Sequence, residues 1–181
     1  MRCFLGIGLP AGPRQVLTAT LAQLRRTDAP VRWVRPENLH ITLKFLGELG
    51  EEHLDDLKAR LAKVDKPDLE LALDGLGSFP SRGAPRVIWA GVRDPAGNLL
   101  RLAAELSRAA VSVGVPAEDR PYHPHITLGR MKGSAGKDAI RSAMEECSNR
   151  ARSEPFTAGQ FTLYESTLTP EGPVYSRLQD Y

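Results

Sequence analysis

The sequence predicts an α+β chain written twice, as two similar lobes related by an approximate twofold axis. Positions 35–43 (Arg-Pro-Glu-Asn-Leu-His-Ile-Thr-Leu) align without gaps on 120–128 (Arg-Pro-Tyr-His-Pro-His-Ile-Thr-Leu). Six of the nine residues are identical, at an offset of 85, which is 125 minus 40. The order of apolar periodicities around each copy, strand then helix, also recurs. A length of 181 residues with 41% hydrophobic content suits one compact domain spanning 1–181.

Residues 1–9 form an apolar run that reads as a strand. Pro13 then opens a helix carrying Val16, Leu17, Leu21 and Leu24 at near 3.6-residue spacing. Arg35-Pro36 breaks the chain before a strand at 40–46, whose strict alternation puts Ile41, Leu43 and Phe45 on one face and His40, Thr42 and Lys44 on the other. An amphipathic helix over 51–64 follows, with Leu54, Leu57 and Leu61 as its stripe, and then strands at 69–79 and 86–92. The second copy reads as a helix at 98–113, a strand at 123–130, a helix at 138–149, and strands at 156–164 and 174–179. It has an opening strand only if 86–92 is shared between the copies.

Charge and cysteine content narrow the function. The 24 basic and 22 acidic residues leave a net charge of +2, so no broad cationic surface is expected to hold a long nucleic acid, and any nucleic-acid contact is expected to be local. The opening run is broken by Arg2, Gly6 and Gly8, and no stretch approaches the length of a membrane span, so a cytoplasmic protein without membrane contact is expected. Cys3 and Cys147 do not form a disulfide framework and have no neighbouring ligands at metal spacing.

The repeat carries chemistry. Four histidines and nine threonines in 181 residues give about 0.2 His-x-Thr triplets by chance, and two are present. Residues i and i+2 of a strand face the same way, so each copy presents an imidazole and a hydroxyl side by side. Histidine exchanges protons near neutrality, and threonine donates a hydrogen bond to an anionic oxygen. In displacement at phosphorus, the base that activates water and the acid that protonates the leaving group approach from opposite sides, as two twofold-related lobes would deliver them. A metal site needs three or four converging ligands, and only His123 stands near either motif, so neither metal nor cofactor is expected.

The chain resembles the two-histidine (2H) phosphoesterases, and within them the RNA 2′,3′-cyclic phosphodiesterases formerly called 2′-5′ RNA ligases. The resemblance spans nearly the whole chain. It covers the opening Arg-Cys-Phe-Leu-Gly-Ile strand, the run from Trp33 to Glu48, the run from Pro124 to Arg130, and the closing Leu163-Tyr164-Glu165-Ser166. It implies antiparallel sheets lining a central cleft with helices outside, His40 as proton donor, His125 as proton acceptor, and Thr42 and Thr127 holding phosphate oxygens. Arg130 stands where this branch often has a basic residue, although strict alternation turns it away from His125. Only a bulge or strand end at Gly129 would bring it inward, so phosphate contact and a solvated arginine both stand. The implied partner is RNA with a 2′,3′-cyclic phosphate end, or a cyclic nucleotide, bound by a monomer and hydrolysed to a 2′-phosphate. The alternatives are 2′-5′ ligation and a noncatalytic RNA or nucleotide-binding module.

Other residues invite functional readings that simpler roles account for. Residues 133–138 lack the glycine and hydroxyl positions of a phosphate loop and read as a turn, with Asp138 as a helix N-cap. Lys132 and Lys137 make that neighbourhood basic. Lys44 on the His40 face reads either as a phosphate-neutralising group or, more simply, as a solvated lysine, His53 as solvent-facing, His123 as a rim or structural residue, and Trp33 and Tyr122 as core or rim packing residues rather than base-stacking ones.

Overall fold

The computed structural model of the chain describes residues 1–170 and 172–181. Strand β1, Arg2–Gly8, buries residues 3–7 without interruption because it lies between two other strands. Helix α1, Ala11–Leu24, turns Leu17, Leu21 and Leu24 to the core, with Pro13 in the first turn, where no intrahelical donor is lost. Strand β2, Val31–Trp33, and a 3₁₀ turn at Pro36–Asn38 lead into β3, His40–Glu48. Helix α2, Glu51–Leu61, buries Leu54, Leu57 and Leu61, each contributing about 1.5–3 kcal/mol by leaving water. Then come β4, Leu69–Phe79, β5, Val87–Arg93, and α3, Asn98–Val111. The chain closes with β6, His125–Met131, α4, Lys137–Ser148, β7, Phe156–Ala158, β8, Thr162–Thr169, and β9, Gly172–Asp180.

The strands run β7-β4-β5-β6-β3-β1-β8-β9, antiparallel throughout, with β2 beside β6. At the centre, Ile41 of β3 pairs with Ile126 of β6. These two residues are equivalents under the 85-residue repeat, so the pseudo-twofold axis passes between them. β1 pairs with β3 on one side of the axis as β5 pairs with β6 on the other, and β8 borders β1 as β4 borders β5. β5 is therefore the second copy's own opening strand and is not shared. The copies exchange their later strands: β4 of the first joins β5, and β8 of the second joins β1. Helix packing crosses in the same way, α1 resting on α4 and α2 on α3. Among the described residues no helix is long and apolar enough to cross a membrane.

Four expectations are corrected. The strand expected at 156–164 is two strands at opposite ends of the sheet, β7 against β4 and β8 against β1, separated at Gly159-Gln160. β2 has no counterpart in the sequence reading because three residues are too few to show a period. Asp138 lies in the first turn of α4, whose N-cap is Gly136 in the left-handed region. The fourth correction places the site. In β3, Leu5 of β1 faces Lys44 and Gly6 faces Thr42, so Leu43 is an extra residue, a bulge. Leu43 and Lys44 are consequently both buried, and it is Phe45, 54% exposed, that turns to the face of His40 and Thr42. Lys44 is only 2% exposed and donates to the Pro116 carbonyl at 3.2 Å, with Glu118 3.9 Å away.

Candidate active site

Each motif strand holds its histidine in the same way. The His40 Nδ1–H donates to the Asn38 carbonyl at 2.7 Å, and the His125 Nδ1–H donates to the His123 carbonyl at 2.7 Å. A carbonyl oxygen only accepts, so in the neutral ring Nδ1 carries the proton and Nε2 is left with its lone pair. His40 Nε2 lies 2.9 Å from Thr42 Oγ1, accepting from the hydroxyl when the ring is neutral. Continued one residue either way from the Ile41–Ile126 pair, the antiparallel register sets His40 against Thr127 and Thr42 against His125. The two imidazoles and two hydroxyls thus form a diagonal quartet about the axis.

Aromatic rings wall both histidines. Phe4 lies 4.8 Å from His40, centroid to centroid, and Tyr175 meets the imidazole edge-on at 5.3 Å. Tyr164 stacks behind Phe4 at 5.0 Å. Around His125, Phe79 stands edge-on at 5.2 Å and Trp89 lies at 6.2 Å, with His123 packed on Trp89 at 5.0 Å. Glycines make room for these rings. A Cβ at Gly77 would come within 2.2 Å of the Trp89 indole, and one at Gly6 within 3.2 Å of His40 Cδ2. A cavity of about 450 Å³ opens beside His40, Tyr175 and Arg177, and a trough of about 1110 Å³ opens beside His125, Phe79 and Phe45.

The electrostatics favour neutral rings. Burial holds the His40 imidazole below the usual histidine range; the Asn38 carbonyl opposes this and the nearby His125 adds to it. Burial also lowers His125, against the His123 carbonyl, and the charges of His123 and Arg130 lower it further. Arg130 reaches this position because β6 carries the same bulge as β3. Gly129 faces Ile88 while Thr127 faces Trp89, leaving Leu128 extra. Leu128 and Gly129 are both buried, and Arg130 emerges exposed on the face of Thr127. The bulge residues Leu43 and Leu128 are repeat equivalents, but the residues they turn into the cleft differ: Phe45 in one copy, Arg130 in the other.

Other candidates fall where simpler roles put them. Trp33 is partly buried against Gly129, and His53 is exposed on α2. Lys132 and Lys137 are exposed beyond β6. The Tyr122 hydroxyl donates to the Thr42 carbonyl at 2.9 Å, and burial pushes its pKa upward. His123 takes the structural role: its carbonyl fixes the His125 tautomer and its ring joins the aromatic wall. Phe4, Tyr164, Tyr175, Phe79 and Trp89 are not legible as site residues in the sequence, because they lie outside the duplicated segments. Among the described residues no three of His, Cys, Asp and Glu gather as metal ligands.

The family model of the LigT-like phosphoesterases matches residues 7–89 and, a second time, residues 91–175, one motif in each match. The chain belongs to this family. An RNA 2′,3′-cyclic phosphodiesterase of Archaeoglobus fulgidus is 35% identical over 179 residues, covering 99% of this chain and 98% of the relative. One from Methanocaldococcus jannaschii is 34% identical over 181 residues, covering 100% of both. Among solved structures, a protein of Thermus thermophilus superposes with a TM-score of 0.77 at 32% identity, covering 100% of this chain and 97% of that one. Escherichia coli LigT complexed with 3′-AMP superposes at 0.76 with 28% identity, covering 99% of this chain and 96% of that one. The doubled match of the LigT-like model agrees with the twofold sheet: each copy holds one motif strand, a bulge just after its motif at Leu43 or Leu128, and one histidine anchored on the carbonyl two residues earlier.

Proposed function

We propose that the chain is an RNA 2′,3′-cyclic phosphodiesterase that opens the cyclic phosphate at an RNA end to a 2′-phosphate, by acid and base catalysis and without a metal. The observation that carries this reading is the pair of imidazoles, each fixed by a backbone carbonyl at Nδ1 and thereby left with Nε2 as its reactive nitrogen. Water attacks phosphorus as His125 Nε2 takes its proton. The phosphorus–O3′ bond breaks, and the proton on His40 Nε2 passes to O3′, leaving a 3′-hydroxyl and a 2′-phosphate. Thr42 and Thr127 donate to the phosphate oxygens, and Arg130 offsets their charge.

Arg130 supports the direction of proton flow. Its charge lowers the proton affinity of His125, which suits a base that must be neutral at the outset. The equivalent position beside His40 holds uncharged Phe45, so no matching arginine works against the proton that the acid must carry. All of these groups come from one chain, which supports a single two-lobed catalytic unit working as a monomer. The buried, unpaired thiols of Cys3 and Cys147 fit a reducing cytoplasm.

Incubation with a 2′,3′-cyclic mononucleotide and with a short RNA bearing the same end, followed by phosphorus NMR, tests the reading. The expected product is the 2′-phosphate. No ring opening on a panel of such ends would instead favour a binding module, a 3′-phosphate product would reverse the leaving group, and joined RNA strands would point to ligation.

A further inference from the structure

Arg130 has a second arginine directly opposite it. In the pairing of β2 with β6, Val31 faces Met131, Arg32 faces Arg130 and Trp33 faces Gly129. Residues directly opposed on antiparallel strands project from the same face. Trp33 and Val31 pack on the inner side, since a Cβ at Gly129 would come within 2.6 Å of Val31 and 2.8 Å of Trp33. Arg32 therefore shares the outer face with Arg130, and both are exposed. Neither guanidinium has a hydrogen-bond or ion-pair partner among the described residues. Like charges set directly opposite each other across a sheet destabilise the fold unless something anionic joins them.

The pair lies on the way out of the phosphate site. Arg130 stands two ladder steps along β6 from Thr127, opposite Val87 where Thr127 is opposite Trp89, about 7 Å at strand rise, and its charge is felt at both His125 and Tyr175. Arg32 stands one strand further out, at the edge that β2 forms beyond β6. An anion held between the two arginines would lie beyond the quartet, displaced toward that edge. In a net charge of only +2, an unneutralised arginine pair leading away from the site is a local feature of the kind a short RNA end requires.

Building on the function proposed above, we propose that Arg32 and Arg130 form a second phosphate subsite, which takes the phosphodiester one nucleotide upstream of the cyclic end and makes an oligonucleotide end a better substrate than a cyclic mononucleotide. Guanidinium groups suit this role because their planar donors pair with two phosphate oxygens at once.

The test compares a cyclic-ended dinucleotide with a cyclic mononucleotide in the native protein and in Arg32→Ala. The native protein is expected to favour the dinucleotide in kcat/KM. Arg32→Ala should cost about tenfold on the dinucleotide and less than twofold on the mononucleotide, and should flatten the salt dependence on the dinucleotide by about 0.7 in logarithmic slope, one phosphate contact. A neutral methylphosphonate at the upstream linkage should reproduce the loss in the native protein and add nothing in Arg32→Ala. Equal losses on both substrates, or no effect of the methylphosphonate, would overturn the subsite. Equilibrium binding of the 2′-phosphate-ended dinucleotide and mononucleotide makes the same comparison without turnover, so a protein that fails to open the ring still decides the question. Thermal unfolding separates recognition from damage: Arg32→Ala should leave the melting temperature unchanged or raise it.

Discussion

The Tyr122 hydroxyl donates a hydrogen bond of 2.9 Å to the Thr42 carbonyl. This bond fastens the segment leading to His125 onto the strand that carries His40, so the two halves of the quartet share a backbone tie. Tyr122→Phe removes the donor and leaves the carbonyl short of a partner at a part-buried site, a loss of about 1 kcal/mol. The melting temperature should fall by about 2–4 °C, as expected for a chain of this size, with a drop in kcat larger than any change in KM. A fully native melting curve together with native kcat would show that the tie does not matter.

Alanine at His40 or His125 should lower kcat by about 10²- to 10⁴-fold, the usual contribution of a positioned proton-transfer group. Thr42→Ala and Thr127→Ala should cost less, because each removes one donor and leaves the proton path intact. Steady-state kinetics on a cyclic mononucleotide check this. Near-native kcat in either histidine variant would remove the two-histidine mechanism.

Lys44 separates a structural lysine from a phosphate-binding one. Its side chain is 1% exposed, donates to the Pro116 carbonyl and lies 3.9 Å from Glu118. Replacing a buried charge with an apolar chain of similar volume is often neutral or stabilising. Lys44→Met should therefore keep kcat/KM within a few-fold and leave the melting temperature within a few degrees. A loss of 100-fold or more with the fold intact would return Lys44 to the phosphate.

Activity should also survive exhaustive chelation, since the proposed base is an imidazole and needs no metal-bound water. Loss on chelation, with recovery on adding back one divalent ion, would reassign the chemistry.

The legible part of the site is the part that alternates. His40 with Thr42, and His125 with Thr127, obey the period of two and share a face as their spacing implies. One residue beyond each pair the rule fails, because Leu43 and Leu128 bulge; a bulge of ordinary leucine leaves no compositional trace. Alternation alone therefore sends Lys44 toward the cleft when Phe45 takes the position, and it turns Arg130 away from His125 when the bulge brings it to that face. Tyr175 is hidden for another reason. It reaches His40 from β9, the far strand of a hairpin outside the two aligned motif segments, and only the pairing of β8 with β1 brings it there. Arg32 sits in a three-residue strand with no period to read.

The pH dependence follows from the two depressed imidazoles. Burial lowers both below the ordinary value of 6.5, so in the free protein His125 becomes a competent base, and His40 loses its acidic proton, on the acid side of 6.5. kcat/KM, which reports the free protein, should be bell-shaped with its optimum below 6.5. A bound phosphate anion stabilises both imidazolium forms, so the kcat profile of the complex should lie at higher pH. The two rings feel each other, and the limbs therefore belong to the pair. Arg130→Met removes a charge that depresses His125, so the acid limb of kcat/KM should move to higher pH. Stability follows the same sign. A histidine whose folded pKa is depressed binds fewer protons folded than unfolded, so its contribution is complete above 6.5 and is lost as pH falls from 6.5 through the folded value. Acid denaturation of His125→Gln should accordingly be shallower just below 6.5 than that of the native chain. A kcat/KM optimum above about 7, or an acid limb that stays in place in Arg130→Met, would show that burial and Arg130 do not govern the protons on which the mechanism depends.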